Sequence, residues 1–253
     1  MKEFLTHIKD DLLRRIAEKV CEGERLSPAE GLLLYEKAPL SLLAMLSDTV
    51  RRRLNGDIVF FNCNFHIEPT NICINNCLFC SYRRKAGEPG SWEYSIDEML
   101  ETVKKFDSKH VTEVHITGGV HPSRDIIFYC ELIKRIHNHR PGLSIKAFSA
   151  IELDYMFSKS GLSIEEGLKM LKECGLSSIP GGGAEIFDEN IRNKICPGKT
   201  SSERWLAIHE TAHRLGIPSN ATMLYGHIEN YNHRIDHMER LRNLQDRTGG
   251  FNA

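Results

Sequence analysis

The spacing of apolar positions changes character near residue 57. Before that point it is helical. Phe4, Ile8, Leu12, Ile16 and Val20 recur at every fourth position and predict one amphipathic helix. Ser27-Pro28-Ala29-Glu30 is a helix-start signal, with Ser as N-cap, Pro in the first turn and Glu three residues after the Ser. Pro39 ends that helix. A third is predicted from about Leu40 to Arg53, stopped by Asn55-Gly56. Residues 1–57 therefore read as an N-terminal helical extension and 58–253 as a larger domain.

From Ile58 onward strand-like and helix-like runs alternate. Ile58 to Glu68, Val111 to Thr117, Leu143 to Ala150, Ser177 to Ile179 and Pro218 to Tyr225 read as strands. Helices are predicted from about Ser95, with Ile96, Met99, Leu100, Val103 and Phe106 on one face, and over Ile126 to His137. Further helices run from Ser163 through Leu171, from Ser201 or Ser202 through Leu215, and around Ile235, Met238, Leu241 and Leu244. Gly249-Gly250 ends the last of these, and residues 249–253 resemble the start of a sixth strand. Strict alternation implies an α/β fold with a parallel sheet and right-handed crossovers. Five units and a beginning sixth predict a partial TIM-type (βα)6 barrel, incomplete at strand 6.

Strand alternation adds a chemical reading. Asn64, His66 and Glu68 share one face of the first strand, opposite Cys63, Phe65 and Ile67. Glu113, His115 and Thr117 share one face of the second, and Asn220 and Thr222 one face of the fifth. A purely structural barrel interior favours Val, Ile and Leu, so this polar lumen is expected to hold a ligand.

Charge narrows the function classes. The 253 residues carry 33 Lys+Arg against 34 Asp+Glu, a net charge of -1, which argues against a bulk nucleic-acid binder. No run of ~18 uncharged apolar residues predicts a membrane helix. The first residues are charged throughout and lack the apolar core of a signal peptide, so a cytoplasmic, reducing location is expected. There the 8 cysteines are not expected to form structural disulfides, and clustered ones point to metal or redox chemistry.

Cys73-Ile74-Asn75-Asn76-Cys77-Leu78-Phe79-Cys80 is such a cluster, leaving the C-terminal end of the first strand, the catalytic end of this architecture. Three thiolates can hold three irons of a 4Fe–4S cube and leave the fourth iron open. Structural zinc wants four closed ligands, and the fourth would have to be Cys63 or His66. Cys21, Cys130 and Cys174 lie on helical segments and read as small buried hydrophobes, while Cys196 stands apart.

The CxxxCxxC loop, with an aromatic before its last Cys, resembles the radical S-adenosylmethionine superfamily. Blocks outside the loop extend the resemblance. They are His66 to Cys73, Gly118 to Pro122, Lys146 to Glu152, Pro180 to Phe187, Lys194 to Pro197 and Ser219 to His227. Together they look like the aminofutalosine synthases of that superfamily, enzymes of the futalosine route to menaquinone, from roughly Asn62 to the last residue. The dehypoxanthine futalosine cyclases and deazaflavin-precursor synthases share the Cys loop and the Gly-rich block. Glu68 departs from the family pattern, where Asn is more usual.

The resemblance implies a 4Fe–4S cluster on Cys73, Cys77 and Cys80, the catalytic and metal-holding residues, with S-adenosylmethionine on the open iron. Phe79, Gly118, Gly119, Glu152, Gly182 and Glu185 are implied in cofactor binding. His66, His115, His121, Asn220 and His227 are candidates for a substrate with two carboxylates. The implied reaction adds the 5′-deoxyadenosyl radical to the enol ether of 3-(1-carboxyvinyloxy)benzoate and gives 6-amino-6-deoxyfutalosine. It needs a one-electron donor such as flavodoxin or ferredoxin, and no nucleic acid or membrane. The alternative is a related dehypoxanthine futalosine cyclase or deazaflavin-precursor synthase, and a further one is a zinc-binding, non-enzymatic domain. Family members continue past the point where this chain stops, so the chain is expected to be a fragment of a longer protein.

Overall fold

The computed structural model describes residues 3–253, and its residues group into two compact units, 1–61 with 229–239 and 62–228 with 240–253. In the first unit the fourfold stripe is not one helix. A 3-10 turn, Glu3–His7, is followed by a break, and α1 spans Asp11–Glu22. The break follows from Asp10, whose carboxylate accepts from Leu12 N at 2.9 Å and Leu13 N at 3.1 Å and so starts a new helix. The buried face becomes Leu13, Ile16, Ala17 and Val20, and Leu12 is left 51% exposed. Helices α2 (Pro28–Lys37) and α3 (Leu40–Asn55) follow the expected signals, with a reciprocal Ser27/Glu30 capping box and Gly56 at the last stop.

The second unit is built on a parallel sheet of β1 (Asn64–Ile67), β2 (Glu113–Ile116) and β3 (Ser144–Ala147), in the order β1-β2-β3. Single bridges carry it further, Lys146 to Ser178, Ile179 to Ser219 and Ser219 to Phe251. The α/β partial barrel of the sequence reading is therefore present, with shorter strands than predicted. The Ile58 to Cys63 stretch is irregular and largely exposed, because β2 offers ladder partners only to residues 64–67. The expected fourth and fifth strands are reduced to the bridges at Ser178, Ile179 and Ser219.

Helices α4 (Ile96–Lys104), α5 (Ile126–His139), α7 (Ile164–Cys174), α9 (Ser202–Arg214) and α10 (Tyr231–Thr248) lie where periodicity placed them. Two were not anticipated. One, α6 (Ala150–Lys159), begins where the third strand was expected to continue. Buried Phe148 turns the chain with a left-handed φ of 58°, and Ser149 then forms a capping box with Glu152. The other, α8 (Glu189–Ile195), is a short helix too polar to show a period, started by Asp188 accepting from Ile191 N at 2.9 Å.

The outward faces of the strands form the core. Phe65, Ile67, Val114, Ile116, Ile145 and Ala147 are buried against residues of α4, α5 and α7. Phe106 lies beyond the end of α4 but still stacks on Phe65 at 4.2 Å. Burial of this kind contributes about 25 cal/mol per Å² of apolar surface and is the main force placing the strand ends.

A buried polar network ties α9 to the strand region. His209 Nδ1 and His213 Nε2 each lie 2.7 Å from Ser219 Oγ, and His213 Nδ1 lies 2.7 Å from Thr248 Oγ1. Trp205 stacks on His209 at 3.7 Å. Burial, with the charge of His213 adding to it, pushes His209 down to about 3. Folding therefore requires the neutral imidazole. Its contribution is full above the ordinary value of 6.5 and is lost as pH falls from there toward about 3. The expected outcome is that wild type loses about 2 kcal/mol more urea-unfolding free energy than His209→Gln between pH 8 and pH 5. Equal losses would assign no role to His209 burial.

Candidate active site at the C-terminal ends of the strands

The loops leaving β1, β2 and β3 and the Gly-rich segment after Ile179 converge on one cleft. It encloses about 620 Å³, solvent-facing space included. Cys73, Cys77, Phe79 and Cys80 form one wall, and Thr117, Gly118, Gly119 and Val120 a second. Ser149, Ile151 and Glu152 form a third, with Gly182, Gly183 and Lys199 opposite. The sheet brings these together because parallel strands place all their C-terminal ends on one side.

The cysteine loop is held by backbone bonds. Cys73 N donates to Arg84 O at 3.1 Å, Ile74 N to Val120 O at 3.0 Å and Leu78 N to Ile195 O at 2.8 Å. Val120 N donates to Cys73 Sγ at 3.3 Å. Hydrogen bonds to cysteine sulfurs are among the contacts that tune iron–sulfur clusters. Burial pushes the bare Cys77 thiol up to about 11, with Lys199 pulling the other way.

The Gly118-Gly119 turn is a packing necessity. A Cβ on Gly119 would lie 2.3 Å from Ile72 O, and one on Gly118 2.7 Å from Thr70 O. Gly119 N donates to Thr70 O at 2.7 Å, locking the second strand's end against the lead-in to the cysteine loop. In the Gly-rich segment the three glycines differ. Gly181 packs on the backbone of Asn220, Gly182 borders the cleft, and Gly183 adopts a φ of 87°.

Glu152 borders the cleft, but its carboxylate is already engaged. One oxygen accepts from Gly118 N at 3.1 Å. The other accepts from Thr117 Oγ1 at 3.0 Å, Ser149 N at 2.8 Å and Ser149 Oγ at 2.7 Å. Through these bonds Glu152 joins the end of β2 to the start of α6. Burial pushes this carboxyl up, and the bonds from Ser149, Gly118 and Thr117 oppose the shift. Glu185 is likewise not among the cleft-lining residues. It pairs with Lys199 at 2.5 Å, and Lys199 Nζ sits 5.6 Å from the centre of the Phe79 ring.

The other expected residues separate. His66 and His115 face each other on the inner side of the sheet, their rings 4.8 Å apart. His121 is buried outside the cleft with both nitrogens used, Nδ1 accepting from Ser123 N at 3.1 Å and Nε2 lying 2.9 Å from Glu93. That arrangement leaves it no nitrogen for a substrate carboxylate. Asn220 is half-buried, and His227 is exposed with Nε2 3.1 Å from Leu224 O. Neither borders the cleft.

Sequence reasoning placed Thr117 on the inward face without giving it a role, and missed Ser149 and Lys199. The Ser149-to-Glu152 spacing of a capping box was a readable signal for Ser149. Lys199 lies two residues past the Lys194-to-Pro197 block, and nothing local marked it.

Cys63 is exposed at the N-terminal end of β1, and Cys73 follows the opposite end, so the four-cysteine zinc set is not assembled. Among the described residues no three His, Cys, Asp or Glu side chains are grouped tightly enough for a single ion. Three thiols spread along one wall of a shared cleft suit the separate irons of a cluster. Cys73, Cys77 and Cys80 would hold it.

Glu152→Ala is expected to strand the Gly118 and Ser149 donors and cost about 2–3 kcal/mol in urea unfolding. Glu152→Gln, which keeps an acceptor, should recover roughly half of that loss. A wild-type unfolding curve for Glu152→Ala would remove the positioning role.

Comparison with known proteins agrees with this geometry. The Radical SAM superfamily model matches residues 67–241. Aminodeoxyfutalosine synthase of Thermus thermophilus is 48% identical over 96% of this chain and 66% of its own length. The enzyme of that name from Streptomyces coelicolor is 42% identical over 95% of this chain and 62% of its own. The 5-amino-6-(D-ribitylamino)uracil–L-tyrosine 4-hydroxyphenyl transferase of Methanothermobacter thermautotrophicus is 38% identical over 94% of this chain and 65% of its own. This chain thus spans somewhat under two thirds of these relatives. Methylornithine synthase shares the fold at a TM-score of 0.71 and 20% identity, covering 90% of this chain and 64% of that one. The cluster-ready cysteine loop, the glycine turn packed beneath it and a family match over most of the barrel lead to one conclusion: the chain belongs to the Radical SAM superfamily, whose members use a 4Fe–4S cluster and S-adenosylmethionine.

Proposed function

We propose that the protein to which this chain belongs is an aminofutalosine synthase. One observation supports this reading above the others: the cleft-forming blocks lie within a chain 48% identical to an aminodeoxyfutalosine synthase. When bound, the cluster and S-adenosylmethionine supply a 5′-deoxyadenosyl radical in exchange for one electron from a flavodoxin- or ferredoxin-type donor. In the reading proposed, the adenosyl carbon joins the enol-ether double bond of 3-(1-carboxyvinyloxy)benzoate. Rearrangement with loss of carbon dioxide, one proton and one electron would then give 6-amino-6-deoxyfutalosine, with methionine as the co-product.

The chain's own residues have defined tasks in this scheme. Cys73, Cys77 and Cys80 hold the cluster, and Phe79 covers its outer side. The Gly118-Gly119 backbone and Gly182 permit close approach of S-adenosylmethionine, and Glu152 holds the first of these turns in place. Lys199 contributes a cation at the cleft wall. Its ammonium stays charged against burial because Glu185 lies beside it. The inner face of the sheet, with His66 and His115, receives the substrate.

A second reading has support of its own. The methanogen transferases at 38% and 39% identity are named for a different reaction, which joins two other molecules. The two readings separate by substrate. Among the described residues no helix is long and apolar enough to cross a membrane, and both readings use small molecules.

Two outcomes are expected. Cys73→Ser, Cys77→Ser and Cys80→Ser should each lose most reconstituted iron, measured by iron assay and absorbance. Cys63→Ser, Cys174→Ser and Cys196→Ser should stay near wild type. Iron loss in Cys63→Ser equal to that in Cys77→Ser would overturn the three-ligand site. In anaerobic turnover, mass spectrometry should find the adenosyl group in a product only when the enol-ether benzoate is supplied. Release of 5′-deoxyadenosine alone, or an adduct formed only with tyrosine, would overturn the assignment.

A further inference from the structure

The inner face of the sheet carries a row of nitrogen groups that neither the fold nor the cleft explains. The register sets His66 of β1 beside His115 of β2, and His115 beside Lys146 of β3. All three belong to strand positions that alternate with the buried core residues, so they share the inner face. The histidine rings stand 4.8 Å apart and tilted by 44°. Lys146 Nζ lies 3.1 Å from Glu113 Oε2, and Asn64 Nδ2 donates to Glu113 Oε1 at 3.4 Å.

The acid and base are unequally matched along this row. Glu113 is one carboxylate, held between Lys146 and Asn64. Lys146 has three donors, and Glu113 takes one of them. His115 Nε2 is buried with no hydrogen-bond partner. A buried polar atom left in that state costs about 1–3 kcal/mol, so the inner face carries unmet hydrogen-bonding capacity at His115. Burial holds His115 below the ordinary imidazole value, and the neighbouring His66 and Lys146 add to the effect. Positive charge on any one of the three disfavours positive charge on its neighbours, and an anion placed among them would remove that penalty.

Position matters as much as charge. His115, beside Lys146, lies two residues before Thr117, about 7 Å down the strand. Thr117 borders the cleft. A molecule anchored on the row therefore reaches the cleft with its far end. One acid group on a flat ring of a few ångströms suits that span.

We propose that His66, His115 and Lys146 form a carboxylate-binding subsite that anchors one end of an acidic aromatic substrate beneath the cleft. Glu113 positions Lys146 in it. This deepens the functional reading above and rests on it for the identity of the acid, but not for the presence of an anion site.

The test is calorimetric titration of 3-hydroxybenzoate, with uncharged 3-hydroxybenzamide as control, into the full chain before and after cluster reconstitution. The acid should bind about ten-fold or more tighter than the amide. His115→Ala and Lys146→Ala should each weaken the acid by about ten-fold and leave the amide unchanged, while Lys146→Arg stays within about three-fold of wild type. Because a variant can fail to fold, the wild-type imidazole resonances provide a second readout. Those of His66 and His115 should move on adding the acid and stay still on adding the amide. Equal binding of acid and amide, no binding of the acid, or unmoved His115 resonances would each overturn the subsite. Acid binding with this residue dependence but no adenosyl adduct would sink the reaction and support the subsite. Turnover with an unchanged KM in His115→Ala and Lys146→Ala would overturn the subsite and spare the reaction.

Discussion

The site depends on one close approach of two backbones. The Gly118-Gly119 turn at the end of β2 lies against residues 70–72, the lead-in to the cysteine loop, with no room for a Cβ on either glycine. Gly119 N bonded to Thr70 O and Val120 N directed at Cys73 Sγ then fix the first thiol relative to the sheet. Glu152 holds the other side of the same turn through Gly118 N and Thr117. A cluster ligand, a glycine turn and a helix start become one rigid unit, joined by short polar bonds and placed by the buried strand faces beneath. Reactive groups need positions held to a fraction of an ångström, and only a rigid frame supplies that.

The same frame divides labour between the two sides of the sheet. Outward residues such as Val114, Ile116 and Ile145 supply apolar burial and hence stability. Inward residues such as Asn64, His66, Glu113, His115 and Lys146 contribute little burial of that kind. They are expensive to keep on an inner face unless hydrogen-bonded or met by a ligand. The fold thus concentrates chemistry on one face and one end, the general arrangement of parallel α/β sheets.

Much of this was readable from residue order. The thiol spacing, the glycine pair after the second strand and the inward polar face all emerged from alternation and motif, and the thiols and glycines border one cleft. Three kinds of error have physical causes. Strand length was overestimated at Ile58 to Cys63, because β-propensity is local while a ladder needs a partner of equal length. Helix α6 was overlooked because Phe148 enters a left-handed turn, a conformation rare for a bulky side chain and invisible to periodicity. The protein partners of His121 and Glu152 were not anticipated. Their partners, Glu93 and Gly118, are distant in sequence and adjacent only after folding.

The central claim is that the three thiols of one loop and the glycine-lined cleft beside them form a single site for a cluster with one open iron. Electron paramagnetic resonance of the anaerobically reduced, reconstituted chain tests this most directly, recorded before and after adding S-adenosylmethionine. The account predicts a 4Fe–4S signal whose g-values shift when S-adenosylmethionine is added, because its amino and carboxylate groups reach the iron that no cysteine holds. A cluster signal indifferent to S-adenosylmethionine, or no iron signal in a protein that retains stoichiometric zinc, would contradict it.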